Sequence, residues 1–106
     1  MSRIYKILAR AEWDTAVARG FFEGSPVDLK DGFIHFSTAG QWRETLRRHF
    51  AGQSGLVLVA FDADALGPEL RWEPSRGGEL FPHLYAPLPT RLALSVEPIA
   101  AERAGE

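Results

Sequence analysis

Six consecutive apolar residues, Leu56-Val57-Leu58-Val59-Ala60-Phe61, constrain this chain more than any other feature. The run is far too short to cross a bilayer. It does not alternate with polar residues, so as a strand it must be buried on both faces and flanked on both sides. Gly55 and Asp62 bound it. A chain of 106 residues supplies one domain and one such centre. The remaining segments therefore have to provide its neighbours and its two covers.

Those segments can be read in order. Ile4 to Leu8 reads as a first strand. Arg10 to Arg19 reads as a helix with Trp13, Ala16 and Val17 at helical spacing, closed by Gly20. Gly24-Ser25-Pro26 and Lys30-Asp31-Gly32 are turn chemistry, with room for a short helical turn between them. Phe33 to Ser37 reads as a second strand. Thr38 and Gln41 form a capping-box pattern for a helix to about Phe50, with the stripe Trp42, Leu46, Phe50. Glu44 is placed to pair with Arg47 or Arg48. After the central strand come a helical turn at Asp62 to Leu66 and a short strand at Leu70 to Glu73. Leu80 to Tyr85 is extended and broken by Pro82, which argues for an edge or irregular segment there. Arg91 to Val96 makes a last strand.

The expected architecture is α+β, with two main helices on a mixed, mostly antiparallel sheet. Residues 1–98 form a single globular domain and 99–106 a polar tail.

Composition excludes several functions. The net charge of −2 disfavours nucleic-acid binding. The absence of cysteine removes disulfides, thiol catalysis and Cys-based zinc sites. No signal peptide or membrane span is read, so a cytoplasmic location is expected. His35, His49 and His83 lack metal-ligand spacing, and no metal is expected.

Three places carry candidate chemistry. His35 and Ser37 share a strand face with Phe33, just before a helix N-terminus at Thr38, which suits an anion. The plainer alternative is a structural histidine and a helix cap. Ser75-Arg76-Gly77-Gly78 offers a guanidinium fork and backbone that can approach a ligand, or simply an exposed turn. Phe81, His83 and Tyr85 share a face if extended, with Glu79 in phase, and their rings can stack on a planar group or serve as core.

Ile-Tyr-Lys-Ile at 4–7, Asp-Gly-Phe-Ile-His-Phe-Ser-Thr-Ala-x-Gln at 31–41 and Trp-Glu-x-Ser-Arg-Gly-Gly-x-Leu-Phe-Pro-His-Leu-Tyr at 72–85 resemble a bacterial family called domain of unknown function 952. The family's fold is similar to that of ADP-ribosyltransferases, a split α+β fold that holds NAD in a cleft. The resemblance implies that His35 holds the nicotinamide ribose and that Tyr85 or Phe81 stacks on the nicotinamide. It implies that Arg76 meets a phosphate and that Glu79 stabilises an oxocarbenium-like transition state.

Two functional readings follow. One is an ADP-ribosyltransferase-like or NAD-processing enzyme with His35 and Glu79 as catalytic residues. The other is a non-catalytic module that binds a small anionic or nucleotide-like metabolite through Ser37, Thr38, Ser75, Arg76, Gly77, Gly78, Phe81, His83 and Tyr85. A third, blander reading makes these polar groups a structural network. Oligomeric state is not legible.

Overall fold

A computed structural model describes residues 2–100, apart from the side chain of Arg76; most of the expected tail lies outside the described residues. Strand β1 (Arg3–Ala9) runs into helix α1 (Arg10–Arg19). Gly20 closes that helix at φ 91°, and its N–H bonds the carbonyls of Ala16 and Val17. Trp13 and Ala16 are buried, whereas Val17 is half exposed.

Strand β2 (Phe21–Phe22) and the short helix α2 (Pro26–Asp31) follow. The stretch read as one strand is two: β3 (Ile34–His35) and β4 (Ser37–Thr38). Helix α3 (Trp42–His49) then leads to β5 (Leu56–Asp62), and a 3-10 segment at Ala63–Glu69 leads to β6 (Leu70–Pro74). The chain ends with β7 (Leu80–Leu84), β8 (Leu88–Pro89) and β9 (Ser95–Ile99). Arg91 and Leu92 belong to a 3-10 turn, so the last strand starts later than its alternation suggests and includes Ile99.

The architecture is α+β. The main sheet has the order β4-β1-β5-β9, a second sheet is β3-β7-β6, and β2 pairs with β8. Every described pairing is antiparallel, so the sheets are not mixed.

Strand β5 is the two-faced centre that its sequence demands: Leu56 through Phe61 are all buried. Val57, Val59 and Phe61 join Ile4, Leu8 and Trp13 in the larger core. Leu56 and Leu58 join Ile7 and Leu46 in the smaller core, with Trp42 and Phe50 of the α3 stripe packed against it. Alternate side chains of one strand thus feed two cores. Glu44 does pair with both Arg47 and Arg48.

Two local expectations are corrected. Helix α3 begins at Trp42 behind Gln41, not at Thr38, because Thr38 is held in β4 opposite Ile4. Only the backward half of the capping box forms: the Gln41 side-chain oxygen accepts from the Thr38 N–H at 3.0 Å. Strand β7, expected to be an edge or irregular segment because of Pro82, is the middle strand of its sheet. The Pro82 carbonyl accepts from the Phe36 N–H at 3.0 Å. In an extended strand a residue's N–H and C=O point to the same side, so the missing donor faces β3 just beyond its last paired residue, His35. Only the reciprocal bond to the Phe36 carbonyl is missing.

Candidate functional site

The break at Phe36 sends β3 to one sheet and β4 to the other. A cavity of about 500 Å³ opens beside this divergence. Its lining includes His35, His49 and His83, with Tyr5, Phe36, Phe50 and Phe81 as aromatic walls. Lys6, Asp31, Ser37, Thr45 and Ser75 are its polar groups.

His35 is anchored from two directions. Its Nδ1 lies 2.6 Å from Asp28 Oδ1, and its Nε2 lies 3.0 Å from Asp31 Oδ2. A carboxylate only accepts, so the ring donates to Asp28 from Nδ1. Asp28 is 1% exposed and sits at the third position of α2, where it completes a capping box with Ser25. It accepts from Lys6 Nζ at 2.9 and 3.1 Å, from the Ser25 N–H at 2.9 Å and from the His35 N–H at 3.2 Å. Burial by itself would raise the Asp28 carboxyl. The His35 ring, the Lys6 ammonium and the Ser25 N–H outweigh it and hold the group at about 2. Burial lowers the Lys6 ammonium, and the Asp28 charge opposes that only in part.

His83 has its own carboxylate. Its Nδ1 lies 2.7 Å from Glu73 Oε1, and the Tyr85 hydroxyl donates to the same oxygen at 2.7 Å. Arg71 lies over the Tyr85 ring, 4.8 Å from its centroid. The bond from Tyr85, then that from His83, keeps Glu73 below the usual carboxylate range. The same Glu73 bond pushes the Tyr85 phenol up. Phe33 stacks on His83 at 4.1 Å between centroids and touches His35 at 4.5 Å and Tyr85 at 5.2 Å.

Among the described residues no group bonds His83 Nε2. No buried side-chain nitrogen or oxygen there lacks a partner. His83 is 4% exposed, and it lines the cavity. An imidazole fixed by a carboxylate at Nδ1 can accept or deliver a proton at Nε2.

The expected residues divide into groups. His35, Ser37, Ser75, Phe81 and His83 line the one cavity. Ser37 is buried, and its hydroxyl lies 3.0 Å from that of Thr45. Thr38, Gly77, Gly78, Glu79 and Tyr85 lie outside the lining. Gly77 and Gly78 adopt φ of 65° and 83° and turn the chain between β6 and β7. The Ser75 N–H closes that turn on the Glu79 carbonyl at 2.8 Å. The Glu79 carboxylate accepts from Gln41 Nε2 at 3.0 Å, which holds it on the α3 side of the hairpin. The Arg76 side chain lies outside the described residues.

Sequence reasoning missed Lys6, Asp28, Asp31, Phe33 and Glu73 as site residues. Lys6 did leave a signal, because it interrupts the apolar phase of Ile4 and Leu8. Among the described residues no three His, Asp or Glu side chains converge closely enough to hold a metal ion. No helix there is long and apolar enough to cross a membrane.

The chain is similar to solved structures of protein CC0527 from Caulobacter crescentus. The crystal structure is 56% identical with a TM-score of 0.88, covering 90% of this chain and 83% of that one. A double mutant of it is 54% identical with a TM-score of 0.87, at the same coverage. The solution NMR structure is 54% identical with a TM-score of 0.84, covering 94% of this chain and 86% of that one. No curated protein matches. The model of the family described as "Protein of unknown function (DUF952)" matches residues 7–96. The chain belongs to the DUF952 family.

Proposed function

We propose that the histidine-lined cavity binds a small nucleotide-like metabolite, with its planar ring against the aromatic walls and a hydrogen-bonding group at His83. The observation that carries this reading is the His83 ring in the aromatic lining of the cavity, fixed in orientation by Glu73. Pockets for small molecules combine apolar walls with a few oriented polar groups in this way. Lys6 adds little attraction for an anion, because Asp28 already balances its charge. A flat ring therefore suits the site better than a bare phosphate.

A second reading is an ADP-ribosyltransferase-like or NAD-processing enzyme on a fold of that kind, with NAD as the ligand. Two histidines each backed by a carboxylate support it, since that pairing is a common arrangement for acid–base work. Glu79, bonded to Gln41 outside the cavity lining, gives no support to the role of catalytic glutamate.

Thermal unfolding with NAD, ADP-ribose and nicotinamide tests both readings. A ligand at about 100 times its dissociation constant adds about 2.7 kcal/mol. That raises the midpoint by roughly 10 °C or more in a domain of this size. The expected result is a shift with at least one ligand that His83→Ala abolishes. Release of nicotinamide from NAD would favour the enzyme. No shift with any of the three would sink the nucleotide-like reading.

A further inference from the structure

A ring as buried as that of His83 offers a ligand almost no surface, so a wall of the cavity has to move before the two can meet. Five walls line the cavity: β1, α2, the fork between β3 and β4, α3 and the β6–β7 hairpin. We infer that α2 is a lid, which lifts as one piece between Gly24 and Gly32 to admit the ligand. This rests on the cavity being a ligand site, not on the ligand being a nucleotide.

The five walls are not held alike. Strand β1 and the hairpin are held by strand ladders. The fork plants Ile34 and Phe36 in the larger core, and α3 plants Leu46 in the smaller one. Helix α2 contributes to neither core. Pro26, Val27, Leu29, Lys30 and Asp31 are all exposed, and Asp28 is its one buried residue. Among the described residues its backbone hydrogen bonds stay within residues 25–33.

Charge, not a packed face, therefore holds α2 down. The Asp28 carboxylate meets Lys6 Nζ at 2.9 Å and His35 Nδ1 at 2.6 Å, and Asp31 lies 3.0 Å from His35 Nε2. Lifting the helix takes Asp28 away from a buried ammonium, so the closed form dominates and opening is rare. The flanks allow the motion. Gly24 and Gly32 stand at either end of α2 with φ of 131° and 88°, and such terminal residues absorb the backbone change of a hinge. Two further hollows, of about 340 and 420 Å³, border Leu29, which does not line the cavity, so the helix has empty space beside it.

The test combines native-state hydrogen exchange with diethyl pyrocarbonate modification of the wild-type protein, at urea concentrations below the unfolding transition. The Gly32 and Phe33 amides, which donate to the Asp28 carbonyl, should exchange with no dependence on urea. Those of β5 should exchange only through the urea-dependent global opening. His83 should be modified at a rate that is also independent of urea, and far more slowly than exposed His49. Ser25→Ala removes the hydroxyl that caps α2 and reaches Glu12 at 3.1 Å, and it leaves the cavity lining untouched. It should raise α2 exchange and His83 modification together by about fivefold, with His49 unchanged. The inference is overturned if the α2 amides share the urea dependence of β5, or if Ser25→Ala speeds α2 exchange and leaves His83 as slow as before. Neither readout needs a bound ligand. A lid that opens locally while NAD, ADP-ribose and nicotinamide give no thermal shift would reject the nucleotide-like reading alone. A thermal shift with α2 opening only on global unfolding would reject the lid alone.

Discussion

The rings of His35 and His83 meet edge to face, 5.5 Å apart between centroids, on neighbouring strands that pair them directly. Their Nδ1 atoms point to different carboxylates, and those carboxylates differ in environment. Asp28 is 1% exposed, whereas Glu73 is half-buried. The two histidines should therefore respond differently to removal.

His35→Ala takes a donor from a buried carboxylate and should cost about 1–3 kcal/mol of stability. His83→Ala leaves Glu73 able to reach water and should cost less, while abolishing any ligand-induced stabilisation. Urea unfolding of both variants, with and without NAD, separates the roles. Equal stability losses would show that His83 is also chiefly structural.

Asp28 makes stability depend on acid. Its native value of about 2 lies below the ordinary 3.8, so its contribution is complete above about pH 4. It is lost as pH falls through the native value. The difference between the two values corresponds to about 2 kcal/mol. Asp28→Asn should cost about 3–5 kcal/mol at neutral pH, because it leaves Lys6 without a counter-charge. Urea midpoints measured from pH 6 to pH 2 should show the gap between wild type and variant narrowing below pH 4. A constant gap would contradict the assignment.

Tyr85 should ionise above the ordinary range because its hydroxyl donates to Glu73. Glu73→Gln should bring that titration down, and Tyr85→Phe should remove it. Ultraviolet absorbance of tyrosinate distinguishes Tyr85 from Tyr5 by comparison with the Tyr85→Phe variant. An unchanged curve in Glu73→Gln would show that the bond does not form in solution.

Phe61 is wholly buried and meets Trp13 and Phe36 edge-on, with centroids 6.3 and 5.8 Å away. Phe61→Ala should cost about 3–5 kcal/mol. That is a large part of the roughly 5–15 kcal/mol available to a domain. Chemical denaturation reads it directly, and a loss under 1 kcal/mol would mean that the core collapses to refill the space.

Much of the frame was legible because it is written locally. The bounds of α1, its glycine cap, the stripe Trp42–Leu46–Phe50 and the two-faced strand at Leu56–Phe61 follow from spacing within a few residues. The cavity residues His35, Ser37, Ser75, Phe81 and His83 were legible as residue types on the right segments. What failed is non-local. Alternation runs unbroken through Phe33–Ser37, and nothing nearby says that Ile34 pairs with Leu84 while Ser37 pairs with Tyr5. The Lys6–Asp28 bond joins positions 22 apart, so no local pattern announces it. Glu79 was in phase with Phe81 and His83, but Gln41, 38 positions away, draws it elsewhere.

Pro82 also bears on why there is a hollow to fill at all. A residue with an amide proton at that point would invite the preceding segment to keep zipping along β7. Proline offers only its carbonyl, taken by the Phe36 N–H, and from Ser37 onward the backbone joins β1 instead. The ring that looks like a defect in the sheet acts as a wedge between two layers, and the protein keeps its histidines in the gap that the wedge holds open.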